Sequence, residues 1–301
     1  MNVVLRFEPE RAEELRAFLR RGGFEVGSRP HALLFAQRPG VSLTAYASGK
    51  LLVNGEQAEE YAGVLAGNRL AQREETAARP ALASFAPHAG ADESGKGDYF
   101  GPLCVAAVLV PDAATARLLV EKGVRDSKLV ADAEAALLAS LVRARCPHVA
   151  EALAPPAYNE AYERVGNLNV LLASMHAAAL ERLLDQAGPA DVLVDQFAHP
   201  GVLERQLRDR GVQATVRQAT HAESDVAVAA ASLVARAEFL AGLAALEVRH
   251  GVRLPKGAGP QVVKAAREVV ARGGPPLLRE VAKVHFATTR AALGGSGGEA
   301  P

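Results

Sequence analysis

Cysteine is nearly absent from this 301-residue chain, which carries only Cys104 and Cys146. Two cysteines cannot build a disulfide framework, and neither stands at metal-ligand spacing. A stapled secreted scaffold and a cysteine-based metal site are thereby excluded. Cys104 falls in an apolar run and Cys146 near the end of an expected helix, so both read as structural thiols in a reducing cytoplasm. Net charge is absent as well, at formally zero. With no global basic field, an unspecific and purely electrostatic DNA binder is excluded, although a local groove is not. Such a groove has candidates in 27 arginines and seven lysines, an excess of arginine that a genome-composition bias would also produce. The opening MNVVLRFEPE lacks a signal-peptide apolar region, and no apolar run approaches the ~20 residues of a membrane span. A cytoplasmic protein is expected.

What is present is a chain long enough for one or two domains, with 49% hydrophobic and 23% charged residues, the balance of an ordinary globular protein. Residues 1–70 predict a small α+β unit. Strands are expected over Asn2–Phe7, Ser42–Tyr46 and Lys50–Val53, and helices over Pro9–Arg21 and Glu56–Leu65. Phe24–Val26 and Ala32–Ala36 read as one interrupted hairpin arm. Residues 71–84 lose periodicity and read as a linker, partly helical.

Residues 85–292 then alternate between strand and helix patterns. Strands are expected over Ala86–Asp92, Leu103–Val110, Val149–Leu153, Val192–Asp195 and Gln213–Arg217. Helices are expected from Ser127 as cap to Arg145, and over Asn169–Gln186, Pro200–Arg210, Ser224–Leu246, Pro260–Arg272 and Leu277–Val284. The mixture predicts an α/β sheet with flanking helices. Residues 293–301 are low-complexity and expected to be disordered.

The most informative stretch is Gly90-Ala91-Asp92-Glu93-Ser94-Gly95-Lys96-Gly97-Asp98-Tyr99-Phe100-Gly101-Pro102. Two adjacent carboxylates end an apolar approach and pass directly into a glycine-spaced turn bearing a lysine. Strand alternation would send Asp92 and Glu93 to opposite faces; a strand that stops at Asp92 would let the turn swing Glu93 back to the same site. The glycines allow backbone N–H groups close to a ligand, and Lys96 supplies a cation for phosphate. Carboxylates for metal beside donors for a sugar-phosphate chain point to metal-dependent chemistry on nucleic acid. Asp195 closes a buried strand, where a charge needs a reason; an exposed strand end is the bland one.

This run resembles the opening motif of the type 2 ribonucleases H, and its Gly95-Lys96-Gly97 spelling is similar to the ribonuclease HIII branch. Gly123-Val124-Arg125-Asp126-Ser127-Lys128, Tyr158 to Asn169, Val194-Asp195-Gln196-Phe197, Ala222 to Glu238, Leu254-Pro255-Lys256-Gly257 and Lys283-Val284-His285-Phe286 resemble further blocks of the family, in order. Together they cover roughly Ala86 to Thr289. The resemblance implies a ribonuclease H-like catalytic domain behind a TATA-binding-protein-like substrate-binding domain, to which Thr44-Ala45-Tyr46-Ala47-Ser48-Gly49-Lys50 is most similar. It implies hydrolysis of the RNA strand of RNA–DNA hybrids, leaving 5′-phosphate and 3′-hydroxyl ends, with two divalent ions, Mg²⁺ or Mn²⁺. The metal and catalytic set it implies is Asp92, Glu93, Asp195 and a fourth acid. Phosphodiester hydrolysis of this kind needs carboxylates that hold two cations about 3.5–4 Å apart.

The fourth acid is Glu223 or Asp225. With Ser224 as helix cap, Asp225 falls in the first turn, where the helix dipole already favours a carboxylate. Glu223 has no such explanation and is preferred. For substrate, the resemblance places the 2′-hydroxyl contact at Gly95, Lys96 and Gly97. Ser127 is expected as a helix cap first and a phosphate contact second. Lys128, Lys256 and Lys283 are either phosphate contacts or solvated charges. Tyr46, Ser48 and Lys50 would form a platform for the nucleic-acid backbone. His176 is expected to be a packed histidine. No obligatory protein partner is implied, and a monomer is expected. The rivals are a ribonuclease HII-like enzyme acting at single ribonucleotides and a non-catalytic hybrid-binding protein.

Overall fold

The computed structural model describes residues 2–29, 32–68, 70–73, 85–188, 190–220 and 222–294. The chain divides into two units, Met1–Ala78 and Arg79–Pro301, each with its own core.

In the first unit, strands β1 (Asn2–Arg6), β2 (Glu25–Gly27), β3 (Leu34–Arg38), β4 (Val41–Ala45), β5 (Lys50–Gly55) and β6 (Gln72–Arg73) form a sheet ordered β2-β3-β4-β5-β1-β6. Every pairing is antiparallel. Apolar residues of period two, such as Leu43, Ala45, Leu51 and Val53, are packed with Leu15 and Leu19 of α1 (Ala12–Arg21) and with Ala62 and Leu65 of α2 (Ala58–Gly67). Two expectations need correction. Phe24–Val26 and Ala32–Ala36 are not one arm: β2 and β3 are separate strands that pair with each other, Glu25 opposite Gln37. The linker does not begin at residue 71, because Gln72 and Arg73 pair with β1 and so belong to the sheet. The rest of the expected linker, 74–84, and tail residues 295–301 lie outside the described residues.

The second unit is built on a five-stranded sheet ordered β11-β10-β7-β8-β9. Its strands are β7 (His88–Ser94), β8 (Leu103–Val110), β9 (His148–Leu153), β10 (Asp191–Asp195) and β11 (Val216–Ala219). The first three run antiparallel in sequence, and β10 and β11 add in parallel beside β7. Its helices are α3 (Ala113–Glu121), α4 (Asp132–Arg145), α5 (Pro155–Val165), α6 (Leu168–Ala187), α7 (Pro200–Asp209), α8 (Val226–His250), α9 (Pro260–Val281) and α10 (Ala287–Ala292). The expected mixed sheet with flanking helices is therefore present, following the small α+β unit in the chain.

Strand alternation sorts the core into two faces. Ala106, Val108 and Val110 of β8 pack with α4 and α8. Ala89 and Ala91 of β7, and Val105 and Ala107 of β8, pack with α6 and α7 on the other face. At Gly90 the approach of α8 to β7 is so close that a Cβ would lie 2.2 Å from the backbone of Ala227 and Val228. Only a glycine permits that contact.

α8 is also 25 residues long and, among the described helices, the one apolar enough to cross a membrane, contrary to the expectation of no such run. Its residues are mostly buried inside the protein against β7 and β8, which explains its composition as that of a core helix. α3, α5 and α10 were not expected, and β11 starts three residues later than predicted and ends two later. The two C-terminal helices expected from Pro260 onward are present as the two halves of α9, separated at Gly274, whose φ of 67° is not helical.

Candidate active site

β7 and β10 are parallel neighbours with Ala91 beside Val194. The next residue on each is a carboxylate, so Asp92 and Asp195 stand side by side just past the last β7–β10 pair, Asp195 closing β10 and Asp92 near the carboxyl end of β7. Ala91 and Val194 both face the α6 side, and alternation turns Asp92 and Asp195 to the α8 side. Carboxyl ends of parallel strands are where sheets of this kind hold ligands. The turn Ala222–Ser224, which follows β11, closes over them, with Ala222 N–H donating to Asp195 Oδ1 at 3.0 Å. That turn carries Glu223, whose carboxylate faces Asp195 closely enough to push its carboxyl up.

The strand does not stop at Asp92. Pairing continues to Ser94 opposite Cys104, so Glu93 follows the strand alternation toward the α6 side, while its carboxylate still lines the same cleft as Asp92 and Asp195. There His176 of α6 meets Glu93 Oε2 at 3.2 Å. Since a carboxylate only accepts, Nε2 of His176 carries the hydrogen. Lys96 Nζ lies 3.4 Å from Glu93 Oε1 and donates to the Phe197 carbonyl at 3.3 Å. His176 is packed, as expected, stacked on Phe197 with centroids 4.7 Å apart; its contact with Glu93 was not expected.

Electrostatics divides the carboxylates. Burial, then repulsion from Glu93 and Asp195, pushes Asp92 well above the usual carboxylate range, despite the Glu93 N–H it accepts. Burial also raises Asp195, and Glu223 adds to it, against the lowering by the Ala222 N–H. Burial acts to raise Glu93 too, but His176 and Lys96 together bring it below its ordinary value. Carboxyls crowded until two resist ionisation form a donor set that suits cations. All four offer hard oxygens, the ligands Mg²⁺ and Mn²⁺ take. Among the described residues, no three His, Cys, Asp or Glu converge closely enough to form a ready-made metal cage.

Asp225 is placed elsewhere. It is itself the cap of α8, which Ser224 was expected to be, and its Oδ1 accepts from Ala227 N–H at 2.8 Å and Val228 N–H at 3.2 Å. His88 Nε2 binds the same carboxylate at 2.9 Å. The group thus has full structural employment.

A cleft of about 470 Å³ is lined by Asp92, Glu93, Asp195, the Gly95–Asp98 loop, Ser127, Lys128, Arg236 and Lys256. Gly95 has φ 87°, and a Cβ there would come within 2.3 Å of the Pro102 carbonyl oxygen, so its identity has a packing cause. Gly97 has open space around it. Ser127 is not the helix cap it was expected to be. Asp126 caps the short 3-10 turn Ser127–Leu129, while Ser127 is buried against α8. Lys128 reaches into solvent, 73% exposed, with Nζ 3.7 Å from Glu223. Lys256 pairs with Asp132 at 2.5 Å at the same cleft.

Lys283 is not a phosphate contact. It is 1% exposed, and its ammonium donates to the backbone carbonyls of Gly101 at 2.6 Å and Pro102 at 3.3 Å. Tyr46, Ser48 and Lys50 belong to the first unit, around the β4–β5 turn. There Gly49 N–H donates to the Tyr46 carbonyl at 3.0 Å, and Ser48 and Lys50 are exposed. Arg236 was missed; its signal is Ser232-x-x-x-Arg236, polar residues one turn apart in an otherwise apolar helix.

Residues 89–289 match the family profile described as Ribonuclease HII, and residues 2–77 match a second described as a domain of unknown function (DUF3378). The chain is 36% identical over 283 residues to Ribonuclease HIII of Protochlamydia amoebophila, covering 94% of each chain. It is 38% identical to Ribonuclease HIII of Chlamydia abortus over 91% of each. Bst-RNase HIII, solved in complex with Mn²⁺, superposes with a TM-score of 0.67 at 34% identity, covering 97% of this chain and 98% of that one. With the mixed sheet and the paired carboxylates at its strand ends, the chain belongs to the ribonuclease HIII family and is a ribonuclease H-type endoribonuclease.

Proposed function

We propose that this enzyme hydrolyses the RNA strand of RNA–DNA hybrids, leaving 5′-phosphate and 3′-hydroxyl ends, with Asp92, Glu93, Asp195 and Glu223 holding two Mg²⁺ or Mn²⁺ ions. The observation that carries it is the pair Asp92 and Asp195, side by side on one face and both raised by burial and by neighbouring acids. Cations would relieve that repulsion, and Bst-RNase HIII in complex with Mn²⁺ supports the metal class. When bound, such ions activate a water and stabilise the leaving 3′ oxygen. His176 and Lys96 keep Glu93 ionised as a ligand. Lys128 presents an exposed cation to a backbone phosphate, next to Ser127. The loop Gly95, Lys96 and Gly97, open at Gly97, offers backbone groups to the 2′-hydroxyl. Tyr46, Ser48 and Lys50 give the first unit a surface for the hybrid's backbone, so that unit contributes affinity and the second the chemistry. Two buried thiols suit a cytoplasmic setting, and the enzyme acts as a monomer.

A ribonuclease HII-like specificity is the rival. Cleavage of a long end-labelled hybrid is compared with cleavage of a DNA duplex holding one ribonucleotide. Efficient cutting of the long hybrid, with weak or no cutting of the single-ribonucleotide duplex, is expected. A preference for the single ribonucleotide would overturn the assignment.

A further inference from the structure

We propose that Ser232 and Arg236 of α8 are positioning residues that fix the Ser127–Lys128 turn over the carboxylates, and so set the enzyme's hold on the hybrid backbone. The inference rests on the substrate-contact role given to Ser127 and Lys128.

The turn Ser127–Leu129 is a three-residue 3-10 segment, too short to hold itself rigidly. Lys128 projects from it with 73% of its side chain exposed, so its place over the cleft depends on what grips the backbone beneath. Asp126 Oδ1 accepts the Lys128 N–H at 2.9 Å, a contact inside the loop itself. The grip from outside falls on Ser127. Its N–H donates to Ser232 Oγ at 3.2 Å, its hydroxyl pairs with Ser232 Oγ at 2.5 Å, and its carbonyl accepts from Arg236 Nη1. All three polar groups of Ser127 thus end on two α8 side chains one helical turn apart.

The arrangement extends in both directions. The other guanidinium arm of Arg236 binds Asp132 Oδ1 at 2.5 Å, and Asp132 Oδ2 holds Lys256 Nζ at 2.5 Å. Two cations lining the cleft are therefore organised through one carboxylate at the start of α4. In the opposite direction α8 lies on β7 at Gly90, two residues before Asp92, and its cap follows Glu223 by two residues. A single helix thereby spaces the phosphate-facing lysine from the carboxylates. Ser232 is 2% exposed among Ala, Val and Leu neighbours, where a hydroxyl is costly unless bonded. The turn supplies that bond.

The test uses the full chain and an end-labelled RNA–DNA hybrid in saturating Mg²⁺, with KM and kcat measured separately. Ser232→Ala and Arg236→Lys are the variants; a lysine keeps the charge but cannot reach both Ser127 and Asp132. Each is expected to raise KM about fivefold or more while kcat stays within about twofold, because neither variant replaces a carboxylate and Lys128, 73% exposed, is 3.7 Å from Glu223. Lys128→Ala should raise KM in the same way. The double variant Ser232→Ala/Lys128→Ala should be no worse than Lys128→Ala alone, since both act through one contact. Loss of kcat with unchanged KM, or effects that multiply in the double variant, would overturn the positioning role. If Lys128→Ala itself leaves KM unchanged, the substrate contact is what fails, and the positioning role falls with it. Thermal unfolding of each variant separates these outcomes from loss of fold, and Arg236→Lys is the variant that disturbs packing least.

Discussion

Glu223 and Asp225 differ by two positions and by almost everything in their surroundings. Asp225 accepts two backbone N–H groups at the start of α8 and pairs with His88, whereas Glu223 meets Asp195 and Lys128. Glu223→Gln is therefore expected to reduce cleavage by orders of magnitude. Asp225→Asn should cost about tenfold or less in rate, ~1.4 kcal/mol in the barrier, and little stability at the cap, since an asparagine oxygen caps a helix about as well as an aspartate. Measuring both on one hybrid across a Mg²⁺ titration decides it; a dead Asp225→Asn beside a nearly normal Glu223→Gln would reverse the assignment. The sequence left these two open because the partner that occupies Asp225, His88, lies 137 residues away, beyond any local pattern. It also misled at Lys283, since a lysine beside a family-like block reads as a surface cation. Burial brings that ammonium down to about 8 from its ordinary 10.5. Between those values the folded state binds fewer protons than the unfolded chain, so stability contributed at this site rises with pH. The stability advantage of wild type over Lys283→Met should then grow from pH 7 to pH 10, by ~3 kcal/mol at most. A gap that stays constant or narrows in denaturant titrations would contradict the assignment.

At the scale of elements, the α8–β7 contact is what brings the carboxylate strand and the Glu223 turn together. A Cβ at Gly90 would strike helix backbone rather than a movable side chain. Gly90→Ala is thus expected to destabilise by about 3 kcal/mol, the upper part of the range for overpacking, seen as a lower urea midpoint. A change under about 0.5 kcal/mol would mean the helix is not seated as described. Strongly patterned elements such as β8, α6 and β10 were legible because period and length agreed. α3 and α5 were not, although Asp112 caps one at Thr115 N–H and Pro155 and Gly166 bracket the other. The end of β7 was misplaced because a Gly-Lys-Gly turn suggests an early strand end, but cross-strand pairing with β8 carries the strand through Ser94. Alternation alone then gives the correct faces for Asp92 and Glu93.

Over the whole molecule, the division into Met1–Ala78 and Arg79–Pro301 gives each unit a core drawn from its own residues. All four acidic candidates lie in the second. Deleting residues 1–78 is expected to weaken hybrid binding far more than it slows single-turnover cleavage at saturating enzyme; equal losses in both would contradict that division of labour. The two-unit plan was legible from the change in composition near residue 71, whereas the small strand at Gln72–Arg73 was not, since two residues carry no period. The paired carboxylates Asp92 and Asp195 are what the chemistry depends on, and one measurement tests them most directly. This is the single-turnover cleavage of an end-labelled RNA–DNA hybrid by Asp195→Asn, beside wild type, in saturating Mg²⁺. Replacing the carboxylate by an amide removes the charge with almost no change in volume, and the folded variant is predicted to be inactive. Near-normal turnover by it would contradict the claim.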